Sequence, residues 1–447
     1  MSTEQQYIDL YNQAKGMINR HSSDVLNAPR EQAFADFQKN GFPTKKSEEY
    51  KYTDVSSFFD LDYGFNLNRL AVPVDPYEVF KCDVPNLSSL LYFLVNDSYF
   101  AKPGVGKNLP ASVFVGSLKD FSEKHPDVAA KHYGKLAKTE NDGIVAFNTV
   151  FAQDGFVIYI PKGVTIEKPI QLVNIFRGDV DMMSNRRLLI IVEENAEAKL
   201  LSCDHTIDEG RKFLSTQVTE IYVGKDARFD FYEMEENGVD TCRVASTFVS
   251  QEANSNAVVN SITLHNGRTR NNYEVTLNGQ HAETHLGGIA IVDKTQSVDN
   301  HTFIDHAVPH CTSHEMFKYV LDEKSVGAFT GRILVRKDAQ KTEAYQTNKN
   351  ICTTADAKMY TKPQLEIYAD DVKCSHGATI GQIDENALFY LRARGISEKE
   401  ARMLLKFAFM ADVIDNIRMD AFKDRLKLLV EKRFRNELAK CAGCSGC

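Results

Sequence analysis

Between about residues 144 and 373 the apolar residues almost entirely lose helical spacing. Short runs such as "GFVIYIP", "RLLIIVEE", "TEIYVG", "RFDFYEM", "STFVSQ", "IAIVDK" and "RILVRK" alternate with polar turns, the pattern of successive strands. Several turns pair a polar residue with alanine: Asn195 with Ala196, Asp226 with Ala227, His281 with Ala282, Asp338 with Ala339 and Asp356 with Ala357. Small residues repeated at corners let successive coils stack closely. The separations of 31 residues from Ala196 to Ala227 and 18 from Ala339 to Ala357 are the size of one solenoid coil. The segment is therefore read as a β-helix, with a β-sandwich as the second choice.

Helical spacing holds on both flanks. "QQYIDLYNQAKGMINRH" places Tyr7, Leu10, Tyr11, Ala14 and Ile18 on one face, and "REQAFADFQKNG" ends in a glycine stop. Between about 70 and 140 the pattern is mixed, with "LLYFLVNDSYF" read as strand and "LKDFSEKHPDVAAKHYGKLA" as helix. After Gly381 the helical period returns. Asp384 is the expected N-cap of "ENALFYLRA", Gly395 its stop, and Ser397 with Glu400 the expected capping box of the next helix. The last helix carries Phe422, Leu426, Leu429 and Leu438 on one face, suited to its own domain or to a partner. The expected organisation is a helical and mixed α/β domain over 1–143, a β-helix core over 144–382, a helical domain over 383–440 and a cysteine-containing tail over 441–447.

A net charge of -8 argues against a nucleic-acid footprint, which needs an excess of Lys and Arg along one face. No run approaches the roughly 18 apolar residues of a membrane span, and the polar start "MSTEQQYIDLYNQAKG" lacks the apolar stretch of a signal peptide, so a cytoplasmic protein is expected. The 9 cysteines are scattered, apart from the last three, and suit reduced thiols better than a disulfide framework. "KPGVGKNLP" fails as a phosphate cradle, with Asn108 where Ser or Thr should hold magnesium, and no GxGxxG, GxSxG or HExxH element is present. No catalytic activity of the chain's own is expected.

Metal chemistry remains open. "NHTFIDHAVPHCTSHE" gathers His301, His306, His310, Cys311 and His314. On a continuous strand His306, His310 and His314 would share a face, yet lie about 13 Å apart in sequence order, too far to share one ion. They are read as residues lining a groove or bonding along stacked coils. Cys374 and His376, in "DVKCSHGATIG", share strand parity and are read either as packing residues or as two ligands of a site that a second chain completes. At the end, "KCAGCSGC" places Cys441, Cys444 and Cys447 in C-x2-C-x2-C, which either brings three thiolates to one iron or cluster, with a fourth ligand from elsewhere, or is an exposed tail whose thiols oxidise.

The runs "VDNHTFIDHAVPHCTS", "GRILVRKDAQKTEAYQTNKN", "TKPQLEIYADDVKCSHGATIGQID" and "FYLRARGISEKEA" resemble the SufD branch of the SufB/SufD family, components of the SufBCD iron–sulfur cluster assembly complex. "PTKKSEEYKYTD" resembles an element near the family's N-terminus, with Tyr50 where tryptophan is more usual. "CSHGATIGQID" and "TNKN" have SufD rather than SufB character. The resemblance covers about residues 40 to 415. It implies a right-handed parallel β-helix core that pairs with SufB, a C-terminal helical domain that docks the ATPase SufC, and ATP hydrolysis residing in SufC. It also implies that His376 lies at the SufB interface, where a nascent iron–sulfur cluster is held transiently between the two chains, with Cys374 as its neighbour. In isolation a homodimer is an open alternative. Two other readings stand beside it: a self-sufficient metal-binding or oxidoreductase subunit, and a purely structural adaptor.

Overall fold

The computed structural model describes residues 3–72, 75–79, 89–102, 104–106, 109–207 and 210–437. Cys441, Cys444, Cys447 and Leu438 lie outside them. Two sheets, one of ten strands and one of nine, are built by a chain that alternates between them. Neighbouring coils pair in parallel: Asn256 stands beside Glu283, Glu283 beside Thr312, Thr312 beside Glu343, and Glu343 beside Lys373. One coil takes about 30 residues, and the β-solenoid has about 8 turns. The expected β-helix is therefore present. Parallel pairing of this kind separates it from an antiparallel sandwich. Strands Leu90–Val95 and Phe114–Ser117, ahead of the expected core, also join the two sheets.

The corners explain why the coils stack. Asn195, Asp226 and His281 adopt left-handed conformations with φ of 56°, 57° and 61°, and the alanine after each is buried. Asn, Asp and His tolerate that region better than most residues with a Cβ. The column continues through Asn254, His310 and Lys341, followed by buried Ser255, Cys311 and Thr342. What the corner requires is thus a small inward residue, not alanine as such. Corner N–H groups bond to the coil above, as Asn195 does to the Lys225 carbonyl and Asp226 to that of Ala253, both at 2.9 Å. Asp338 and Asp356 do not take the left-handed conformation; Lys341 does so for their coil. The 18-residue separation joins two corners of one coil, because Ala339 precedes the strand Glu343–Cys352 and Ala357 precedes Lys358–Ile367.

Both helical ends pack on the outside of the solenoid. Helix Thr3–Arg20 buries Tyr7, Tyr11 and Ile18 in an aromatic cluster with Phe37, Phe147 and Phe151, seated on Met183, Leu214 and Val244 of the nine-stranded sheet. Helices Glu398–Asp415 and Asp420–Phe434 press Met410, Ile414, Phe422 and Leu426 onto Tyr232, Ile262 and Ile289 of the ten-stranded sheet. The face of the last helix is therefore occupied by the chain's own solenoid. Asp384 caps helix Glu385–Ala393 through the N–H groups of Asn386 and Ala387. Ser397 accepts from the Glu400 N–H, but the Glu400 carboxylate turns to Arg435 at 2.8 Å, so only half of the expected capping box forms.

Candidate functional site: the open end of the solenoid

The last coil has nothing stacked on it. Strand Lys373–Gly381 ends the ten-stranded sheet, and Lys358–Ile367 ends the other. Each is paired on one side only, leaving a row of backbone donors and acceptors on the other. Lys358, Lys362, Pro363 and Lys373 lie on these edges, residue types that discourage indiscriminate strand pairing.

Cys374 stands beside Ala344 and His376 beside Gln346 across the parallel ladder. Ala344 and Gln346 are buried in the interior. Ladder neighbours point the same way, so Cys374 and His376 both face the lumen at its uncovered end. Cys374 is half-buried against the core, and that burial pushes its thiol up, away from the thiolate that binds metal. His376 is exposed, with its imidazole the better donor of the two. Among the described residues no group of three or more His, Cys, Asp or Glu side chains is placed to hold a metal ion.

Behind His376 runs a polar file. Glu315, Gln346 and His376 occupy one inward column on successive strands. Gln346 Nε2 donates to Glu315 Oε2 at 2.6 Å, and the Thr302 hydroxyl donates to the other carboxylate oxygen. Burial pushes the Glu315 carboxyl up to about 7. Gln346 Oε1 is buried without a hydrogen-bond partner. The sequence reading missed both residues. Parity was the available signal, since Ser313, Glu315, Phe317, Tyr319 and Leu321 alternate as the buried set of one strand.

The histidine cluster is divided by a corner between Ala307 and Cys311, so His306, His310 and His314 do not share a face. His306 faces the interior, hydrogen-bonded to Ser313 Oγ at 2.8 Å, and burial pushes it down to about 4. His310 sits at the left-handed corner and stacks on His281 at 5.0 Å. His314 lies on the outer face, stacked between His285 at 5.0 Å and Tyr345 at 5.3 Å. His301 is held down to about 3 by burial, then by Arg270 and Arg332. These are stacking and bonding roles along neighbouring coils.

The segment "PTKKSEEYKYTD" straps the nine-stranded sheet. Arg270 lies over the ring of buried Tyr50 at 4.4 Å, Thr53 donates to Asp299 at 2.7 Å, and Tyr52 stacks on Tyr360 of the last coil at 4.6 Å. Helix Glu385–Ala393 instead exposes apolar surface: Phe389 is 75% and Tyr390 56% exposed.

Two family models match the chain, the SufBD protein N-terminal region over residues 1–172 and the SufBD core domain of the SUF system for FeS cluster assembly over 175–409. The chain belongs to the SufBD family. An iron–sulfur cluster assembly SufBD family protein of Synechocystis is 27% identical over 94% of this chain and 93% of its own length. The iron–sulfur cluster assembly protein SufD of Escherichia coli is 27% identical over 88% of this chain and 90% of its own. The chloroplastic protein ABCI7 of Arabidopsis thaliana is 27% identical over 91% and 86% respectively. In this SufBD chain the core match takes in the corner column, the Glu315–Gln346 pair and the open end, and stops within helix Glu398–Asp415. No helix among the described residues is long and apolar enough to cross a membrane.

Proposed function

We propose that the chain is a non-catalytic scaffold subunit that pairs through the open end of its solenoid with a SufB-type subunit and supports assembly of nascent iron–sulfur clusters and iron acquisition. The observation that carries this reading is His376, lumen-facing and exposed on a terminal strand of a SufBD fold. The described residues bring no three candidate ligands together, and a second chain stacked on the open end supplies those that His376 and Cys374 leave wanting. The cluster is cargo, held transiently between the two chains. Imidazole is a borderline ligand for iron and can accept or release a proton, so His376 either binds metal or moves protons as sulfide is installed. Cys374, with its thiol kept protonated, is the weaker participant.

A SufC-type ATPase docks on the C-terminal helical segment, where Phe389 and Tyr390 are exposed, and ATP hydrolysis resides in that partner. The complex works in the cytoplasm. In the isolated chain the same open end pairs with a second copy. His376→Ala in the copurified complex tests the reading: the complex still assembles, and cluster formation, followed by visible absorption and bound iron, falls. Undiminished cluster yield in that variant overturns it in favour of a purely structural adaptor.

A further inference from the structure

The buried Gln346 carbonyl oxygen raises a question that the open end answers. The ionised Glu315 carboxylate accepts but does not donate, so in alkaline solution, above its titration near 7, the 2.6 Å contact fixes which end of the Gln346 amide faces inward: the nitrogen. The oxygen is left without a partner in a place water does not reach, a costly arrangement for a carbonyl group. Across the lumen the amide lies against Gly331, where an added Cβ would sit 2.4 Å from Gln346 Nε2. The outward ladder neighbour of Gly331 is Pro363, which has neither an N–H nor a polar side chain. The outward ladder neighbour of Gln346 is His376. Adjacent strands lie about 4.8 Å apart, so rotation of the exposed imidazole brings a ring nitrogen within reach of the amide oxygen.

We propose that Glu315 and Gln346 are positioning residues for His376: Glu315 orients the Gln346 amide, whose Oε1 accepts one imidazole N–H and so presents the other, unprotonated ring nitrogen at the open end. The proposal rests on the role given to His376 above. A hydrogen bond to one ring nitrogen sets the tautomer and raises the basicity of the other, which is how outer partners tune histidine ligands. Gly331 and Pro363 serve the device by leaving room for the amide and offering it no competing donor. Thr361, whose hydroxyl is also buried without a partner on the terminal strand of the other sheet, is the internal control.

The full chain, labelled with 15N-histidine and assigned with His376→Gln, reports the tautomer of the neutral His376 ring in alkaline buffer. The parent shows one predominant tautomer. Gln346→Leu, close in size, converts it to a mixture, and Glu315→Gln, which frees the amide to flip, gives a partial change. Thr361→Val leaves the tautomer as in the parent. An unchanged tautomer in Gln346→Leu, or a change in Thr361→Val alone, overturns the proposal. In the copurified complex Gln346→Leu slows cluster formation by about tenfold without loss of the partner subunits; parental rates, where His376→Ala lowers them, also overturn it. The two readings fail separately. If His376→Ala forms clusters at the parental rate, the function given to His376 falls, while the tautomer spectra still decide whether Glu315 and Gln346 orient its ring.

Discussion

Lys318, on the outer face of the ten-stranded sheet, donates to Asp412 Oδ2 at 2.6 Å and to the Phe409 carbonyl at 2.7 Å, pinning helix Glu398–Asp415 to the solenoid. The ammonium is buried, with its side chain 4% exposed, and lies 4.8 Å from the Phe409 ring centroid, whereas Asp412 remains 60% exposed. The two partners therefore respond differently to removal. Asp412→Ala strands a buried positive charge and costs about 1–3 kcal/mol. Lys318→Met keeps the apolar stem and lets Asp412 return to water, so it costs less. Thermal unfolding of both variants reads the order; a larger loss in Lys318→Met contradicts this account of the interface.

The exposed pair on helix Glu385–Ala393 offers a cleaner test of ATPase docking than truncation. Removing residues from 384 onward would strip the cover from Tyr232, Ile262 and Ile289, and misfolding would then mimic lost binding. Phe389→Ser with Tyr390→Ser removes largely exposed apolar surface, giving up only the contact of Arg394 with the Tyr390 ring at 3.5 Å, and leaves the Asp384 cap intact. The double variant is expected to melt within about 2 °C of the parent, since surface changes stay near ±0.5 kcal/mol. It should no longer copurify with the ATPase subunit. Retained copurification places the docking surface elsewhere.

Glu315 gives the fold a pH dependence of definite sign. Its carboxyl titrates near 7 when folded, against about 4.3 in an unfolded chain. A raised carboxyl binds its proton more tightly in the folded state. Its contribution is therefore fully present below about pH 4 and is lost as pH rises towards 7, a change on the order of 3 kcal/mol. Glu315→Gln removes the titration, so the variant gains stability relative to the parent at pH 8 and little at pH 5. Urea unfolding at the two pH values measures the difference, and equal shifts at both would contradict the assignment.

Much of this was legible because strands report burial by parity and corners by residue type. Asn195, Asp226 and His281 marked corners, which are left-handed, and Cys374 and His376 marked one shared face, which is the lumen's, each from local pattern alone. What failed were inferences needing the path of the chain. His306 and His314 look like residues of one face until the turn between them sends the second strand into the other sheet. The face of Phe422, Leu426 and Leu429 suited its own domain or a partner, and only the packing decides for the solenoid, since a helix's apolar stripe does not say which surface covers it. Glu315 and Gln346 sit 31 residues apart in sequence and meet only because one coil separates them.

The terminal strand allows its edge to be blocked without disturbing its own ladder. The Lys373 N–H points inward, to the Thr342 carbonyl at 2.9 Å. Backbone groups alternate sides along a strand, so Cys374, His376 and Ala378 present theirs to the open edge. Ala378→Pro removes one of those donors and fills the edge with a ring, while the bonds from Lys373, Ser375 and Gly377 to strand Glu343–Cys352 remain. If the partner subunit adds its strands to this edge, the variant loses copurification with the SufB-type chain yet keeps the ATPase subunit, which binds the helices on the outer face. The strain of fitting proline to an extended strand is expected to lower the melting temperature by only a few degrees. Copurification of both partners at parental levels would show that the chains meet through some surface other than this edge.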